Sequence, residues 1–128
     1  MTLSADLQIE EIILERLEIP RRLGRLAPGR YISYLHWKYK TEVGREGIDV
    51  PGEEIARIGR RAVPHLLRDF FVPWKNKVST YALNRILSRC TPEQRSEVLS
   101  RIAQALDHSN PTVKDSAIQL LKDWNEPD

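Results

Sequence analysis

Cysteine is almost absent from this sequence, and its scarcity removes several chemistries at once. Cys90 stands alone among 128 residues. It has no second thiol for an internal disulfide, and no thiolate cluster for zinc can be assembled from the chain. Such usage suits a reducing compartment. Long apolar runs are missing too. The longest aliphatic stretches are triplets such as Ile12, Ile13 and Leu14, against the ~20 residues that cross a bilayer, so no membrane span is expected. The opening Met1-Thr2-Leu3-Ser4-Ala5-Asp6 lacks the basic and apolar regions of a secretory signal, which predicts a cytoplasmic address.

Enzyme signatures are equally scarce. The six glycines are scattered and none form Gly-x-Gly, which argues against a phosphate-cradling loop and against ATP or NAD. His36, His65 and His108 are far apart, with no His-Glu-x-x-His or Cys-x-x-Cys spacing, so no metal or other cofactor is expected. Glu10 and Glu11, like Glu53 and Glu54, are adjacent, and neighbours on a helix diverge by about 100° and do not share a proton. Cys90 falls at a predicted helix C-terminus, where the dipole disfavours a thiolate; it reads as a small buried apolar residue. The expectation is a protein that is not an enzyme.

What the sequence does contain is helical periodicity with clear punctuation. The chain is 41% apolar and 30% charged, with a mean hydropathy of −0.47, and its length suits a single domain over 1–128 with one core. Thr91, Pro92 and Gln94 have the spacing of a capping box with proline at the first helical position. Val98, Leu99, Ile102, Ala103, Ala105 and Leu106 then recur at helical spacing, with Glu97 and Arg101 as an i,i+4 pair. These predict one helix over 92–107. Asn110 and Pro111 open another over 111–124, with Val113, Ala117, Leu120, Leu121 and Trp124 on one face and Asp115, Gln119, Lys122 and Asp123 opposite. Further helices are predicted over 52–59, 62–72 and 77–89. Pro64 forces the first division, since proline inside a continuous helix costs about 3 kcal/mol. Helix 77–89 is expected to pair with 92–107, with 111–124 closing the stack.

The pattern also repeats. An offset of 35 places Val113 on Val78, Ala117 on Ala82, Ile118 on Leu83 and Leu121 on Ile86; an offset of 36 places Ile102 on Leu66 and Leu106 on Phe70. A period in the mid-thirties signals stacked helical hairpins. Ile55-Ala-Arg-Ile-Gly59 followed by Ala62-Val63-Pro64-His-Leu66-Leu67 resembles the turn between the two helices of a HEAT-like repeat. Val78-Ser-Thr-Tyr-Ala82 and Asn110-Pro111-Thr-Val113-Lys-Asp-Ser-Ala117 resemble the start of the repeat's first helix, so the likeness covers about residues 52–124. The resemblance implies an all-α fold, a short α-solenoid formed as a right-handed stack of HEAT-like hairpins, whose successive helices line up into a binding surface. Some HEAT-like proteins bind DNA, among them alkylbase glycosylases, but no motif of theirs carries over to a residue of this chain.

Residues 1–50 depart from the repeat. Ser4 can cap a helix reaching Ile19, before Pro20, with Leu7, Ile9, Ile12, Ile13, Leu14 and Leu17 covering more than half its circumference. Over 28–42, Pro28 favours a helix. The alternation of Tyr31, Ser33, Leu35, Trp37 and Tyr39 with Ile32, Tyr34, His36 and Lys38 leaves open a small strand pair around 30–50. Gly44, Gly47 and Pro51 are expected to bracket a loop.

Charge is distributed in blocks. Residues 16–45 carry eight Lys and Arg against two Glu, and 57–89 carry eight against Asp69 alone; the blocks on either side are acidic. Arg16, Arg21, Arg22, Arg25, Arg30, Lys38 and Lys40, interleaved with Tyr31, Tyr34, Trp37 and Tyr39, offer phosphate contacts and stacking surfaces. Lys77, Tyr81, Arg85 and Arg89 are spaced by four and form a stripe on one helix opposite Val78, Ala82 and Ile86. With Arg57, Arg60, Arg61 and Arg68 they predict a basic face for an acidic protein surface. The expected function is a protein-binding module, an adaptor, inhibitor or regulatory subunit. The rival is a nucleic-acid-binding protein using the same basic face.

Overall fold

Prolines open most of the helices. The computed structural model describes residues 26–40 and 47–124, and every regular element in them is helical, with no strand. The order is α1 (Pro28–Lys38), α2 (Asp49–Ile58), a 3-10 turn (Gly59–Ala62), α3 (Val63–Phe70), α4 (Pro73–Leu87), α5 (Pro92–Ile102), a second 3-10 segment (Ala103–Asp107) and α6 (Pro111–Asp123). The helix expected over 4–19, the arginines at 16, 21, 22 and 25, and Gly44 lie outside the described residues.

In α1 the buried residues are Tyr31, Ile32, Leu35 and His36, a helical stripe. The strand alternative fails on the same pattern: it would put Tyr31, Ser33, Leu35 and Trp37 on one face, yet Ser33 and Trp37 are exposed. Pro51, expected in a loop, instead occupies the first turn of α2 and is buried. First-turn N–H groups have no intrahelical acceptor, so the proline removes no bond. α2 ends at Gly59, whose φ of +79° and ψ of −146° are open to glycine alone. Pro64 then falls in the first turn of α3, as its cost inside a helix requires.

α4 begins at Pro73 rather than at residue 77. Val72 before it is extended (φ −98°, ψ 115°), the conformation imposed on a residue preceding proline. Thr91 and Gln94 form the expected capping box, with the Gln94 N–H donating to Thr91 Oγ1 at 3.2 Å and the Thr91 N–H to Gln94 Oε1 at 3.0 Å. The helix that follows is shorter than predicted, because its last turn tightens into the 3-10 segment. That rotation buries Ala105 completely and leaves Leu106 37% exposed. Asn110 caps α6, its Oδ1 accepting the N–H groups of Thr112 and Val113.

α4 is the hub. It packs against α2, α3 and α6, while α5 lies on α3 and α6, and α1 contacts α2. The expected pairing of helix 77–89 with 92–107 is therefore not the closest one. α4 and α5 are joined instead through Arg95, which donates from Nε to the Leu87 carbonyl (3.3 Å) and from Nη2 to that of Cys90 (3.1 Å). Ile32, Leu35, Ile55, Leu66, Phe70, Leu83, Leu87, Ile102 and Leu120 fill the core between these helices, each contributing about 1.5–3 kcal/mol. Asn76 stitches the layers through that core. Its Nδ2 donates to the Phe70 carbonyl at 2.7 Å, and its Oδ1 accepts from the Ser116 hydroxyl of α6.

Of the positions matched at offsets of 35 and 36, Val78 and Val113, Ala82 and Ala117, and Leu66 and Ile102 are all buried. Leu83 and Phe70 are fully buried while their counterparts Ile118 and Leu106 are 40% and 37% exposed. Leu83 lies on α4, which packs between α2, α3 and α6, whereas Ile118 lies on α6, the last described helix of the stack.

Candidate functional site

Three surfaces gather chemistry. The first is the outer side of α4. Lys77 and Arg85 are exposed and Tyr81 is half-buried, in the stripe their spacing required; Arg89 lies beyond the helix end. Glu53 of α2 reaches into the middle of that stripe. Its Oε1 accepts from the Tyr81 hydroxyl (2.8 Å) and stands 3.0 Å from Arg85 Nε as an ion pair. The hydrogen bond to Glu53, then burial and the carboxylate's charge, hold the Tyr81 hydroxyl above its usual range, so it remains a neutral donor. Two of the four predicted stripe residues thus answer to a carboxylate within the chain. Close approach of α2 and α4 depends on Gly52: a Cβ there would meet Tyr81 Cδ1 at 2.3 Å. Arg57 and Arg61 are exposed near the end of α2, and Arg68 is exposed with its Nε 3.3 Å from Asp69 Oδ1.

The second surface is a groove of about 300 Å³ between α3 and α5. Val63, Pro64, Leu67 and Val98 form its apolar lining, with Cys90 beside them, and Arg60, Arg101, Gln94 and Glu97 supply its polar groups. Glu97 and Arg101 do not make the ion pair their spacing allows, and among the described residues neither Arg60 nor Arg101 is paired with a carboxylate. Cys90 is half-buried rather than buried, and its thiol donates to the Ile86 carbonyl at 3.3 Å. Sequence reasoning placed Arg101 in an outer-face pair and missed its place beside Arg60, since the two are brought together only by the packing of α3 on α5.

The third surface joins α1 to the start of α4. His36 and Asp69 are both 1% exposed, with His36 Nε2 3.3 Å from Asp69 Oδ2, in contact though not aligned as a hydrogen bond. Burial by itself raises the Asp69 carboxyl; the interaction with His36, aided by the charges of Lys75 and Arg68, overrides it and leaves the carboxyl below its usual 3.8. The His36 ring meets Trp74 edge-on at 6.0 Å. The other histidines sit elsewhere: His65 packs over Gly29, and His108 Nδ1 accepts the Asn110 N–H at 3.0 Å. Among the described residues no three His, Cys, Asp or Glu side chains cluster as metal ligands, and no helix is long and apolar enough to cross a membrane.

Comparison of the chain with family models, with curated proteins and with solved structures gave no match.

Proposed function

We propose that this chain is a protein-binding module, an adaptor, inhibitor or regulatory subunit built as a short right-handed stack of HEAT-like hairpins. It takes an acidic, partly aliphatic segment of a partner into the groove between α3 and α5. The observation that carries this reading is the combination of an apolar lining with two arginines that no carboxylate of the described chain neutralises. Aliphatic side chains of the partner would bury against Val63, Leu67 and Val98, while its carboxylates met Arg60 and Arg101, whose planar guanidinium groups suit bidentate pairing. The α4 stripe is the weaker candidate for the same partner, because Glu53 already engages Tyr81 and Arg85. The contacts of α4 with α2 and α6, and of α5 with α3, support the stacked reading. The sparing use of cysteine suits the cytoplasm.

Selection of peptides from a random displayed library on the full chain tests the proposal. Enriched peptides are expected to combine Asp or Glu with Leu, Ile or Val, and to bind less tightly as salt rises. Arg60→Glu with Arg101→Glu should abolish their binding, and Lys77→Glu with Arg89→Glu should leave it nearly intact. Enrichment of neutral or basic peptides, or equal loss in both double variants, would reject the groove.

A further inference from the structure

Two tryptophans stand in water on one side of this protein. Trp37 of α1 is 71% exposed and Trp74, in the first turn of α4, is 43% exposed. Burying a large aromatic side chain is worth several kcal/mol in most folds, so two left open on neighbouring elements call for an occupant. Residues on either side of Trp37 in the chain reach the Trp74 ring. Lys40 lies one helical turn beyond Trp37, and its ammonium sits 5.0 Å from the Trp74 ring centre; His36, next to Trp37 in the chain, meets the same ring edge-on. Tyr34 extends the surface, its ring 6.3 Å from that of Trp37.

Among the described residues, the exposed charges on this surface have one sign. Residues 28–40 contain no Asp or Glu. Lys38 lies over the rings of Tyr34 and Tyr39 (5.9 and 5.5 Å), and Lys75 joins Lys40 at Trp74 (5.2 Å). Arg30 is exposed one turn before Tyr34. Among the described residues, Asp69 is buried against His36, with its Oδ1 3.7 Å from the Lys75 ammonium. Trp74 is thereby held between the His36 edge and the ammonium groups of Lys40 and Lys75, so its ring is fixed in place while 43% exposed.

We infer that the face formed by Tyr34, Trp37, Lys38, Lys40, Trp74 and Lys75 binds single-stranded nucleic acid. Bases stack on the indole and phenol rings, and the ammonium groups meet the backbone phosphates between them. Flat aromatic surfaces interleaved with lysines match an alternation of bases and phosphates. An acidic peptide would use the lysines but leave the rings uncovered. A membrane surface would be better served by protruding aliphatic residues, and among the described residues Leu26 is the one large exposed aliphatic next to α1 in the chain. A duplex hides the faces of its bases, so single strands are preferred. This site is separate from the α3–α5 groove and stands or falls without it.

Titration of the full chain with oligothymidylate of about 15 nucleotides, read by tryptophan fluorescence, tests the assignment. Quenching at low salt is expected, with affinity falling linearly on a log–log salt plot. Trp37→Ala, which removes a 71% exposed side chain and whose fold circular dichroism checks, should weaken binding about 5-fold to 100-fold. Lys38→Gln with Lys40→Gln should reduce the magnitude of the salt slope by about 1.4. Lys114→Gln with Lys122→Gln removes the same charge from α6 and should leave the slope unchanged. Absence of quenching at low salt, equal affinity for a duplex, or an undiminished affinity in Trp37→Ala would overturn the inference. So would a blue shift of tryptophan emission with vesicles of phosphatidylserine and phosphatidylcholine in place of any response to the oligonucleotide.

Discussion

Replacing Gly52 by alanine is the sharpest test of how α2 and α4 are held together. In an ordinary helix position the change stabilises a protein by about 0.5–1 kcal/mol, because glycine loses more backbone freedom on folding. Here the new methyl would stand 2.3 Å from Tyr81 Cδ1 and 3.0 Å from Cγ, well inside the ~3.5 Å at which carbon atoms normally touch. The tyrosine ring has to move by roughly 1 Å. It cannot do so and keep its hydroxyl 2.8 Å from Glu53. Overpacking costs about 1–3 kcal/mol and loss of a hydrogen bond to a charged group about 1.5–3. Against the helix-propensity gain, and with Tyr81 only half-buried, Gly52→Ala should destabilise the protein by about 1–3 kcal/mol. Urea unfolding followed by circular dichroism measures it. In a Tyr81→Ala background the same change should be neutral or stabilising, giving a coupling of at least ~1 kcal/mol in the double-mutant cycle. Equal stabilisation by Gly52→Ala in both backgrounds would refute the close packing of α2 on α4.

Gly59→Ala should cost about 1–3 kcal/mol although nothing lies within 4 Å of the added methyl, because φ of +79° with ψ of −146° excludes other residues; an unchanged urea midpoint would contradict this. Asp69→Asn should lower stability in a pH-dependent way. The folded carboxyl of Asp69 is depressed, so its contribution is complete above the unfolded value of about 3.9 and is lost as pH falls through the lower folded value. The gap between wild type and variant in urea midpoint should therefore be constant down to about pH 4 and close below it; a gap that widens on acidification would reverse the sign of the argument.

Helix starts were the most readable feature of the sequence. Pro28, Pro64, Pro92 and Pro111 all fall in first turns, and Thr91 and Asn110 cap as their side chains allow. These signals are local, carried by a few adjacent residues. The start of α4 was misplaced because Val72 offers no capping side chain, leaving Pro73 as the sole mark. The tightening at Ala103–Asp107 was not readable, since Ala-Gln-Ala-Leu-Asp suits an α-helix, and the segment's packing against α6 is a tertiary contact. The candidate sites divide in the same way. The α4 stripe followed from spacing by four within one helix, whereas its interruption by Glu53 spans 28 residues of chain and depends on how α2 lies on α4. The placing of Arg60 and Arg101 along one groove, and the meeting of Lys40 with Trp74, are likewise visible only once the helices pack.

The groove between α3 and α5 is tested most directly by amide and methyl NMR of the labelled protein, titrated with a peptide taken from the library selection. The proposal predicts saturable shifts at Val63, Leu67, Val98 and the arginines at 60 and 101, with Lys77, Tyr81 and Arg85 undisturbed. Shifts centred on the α4 stripe, with the groove resonances unmoved, would contradict it.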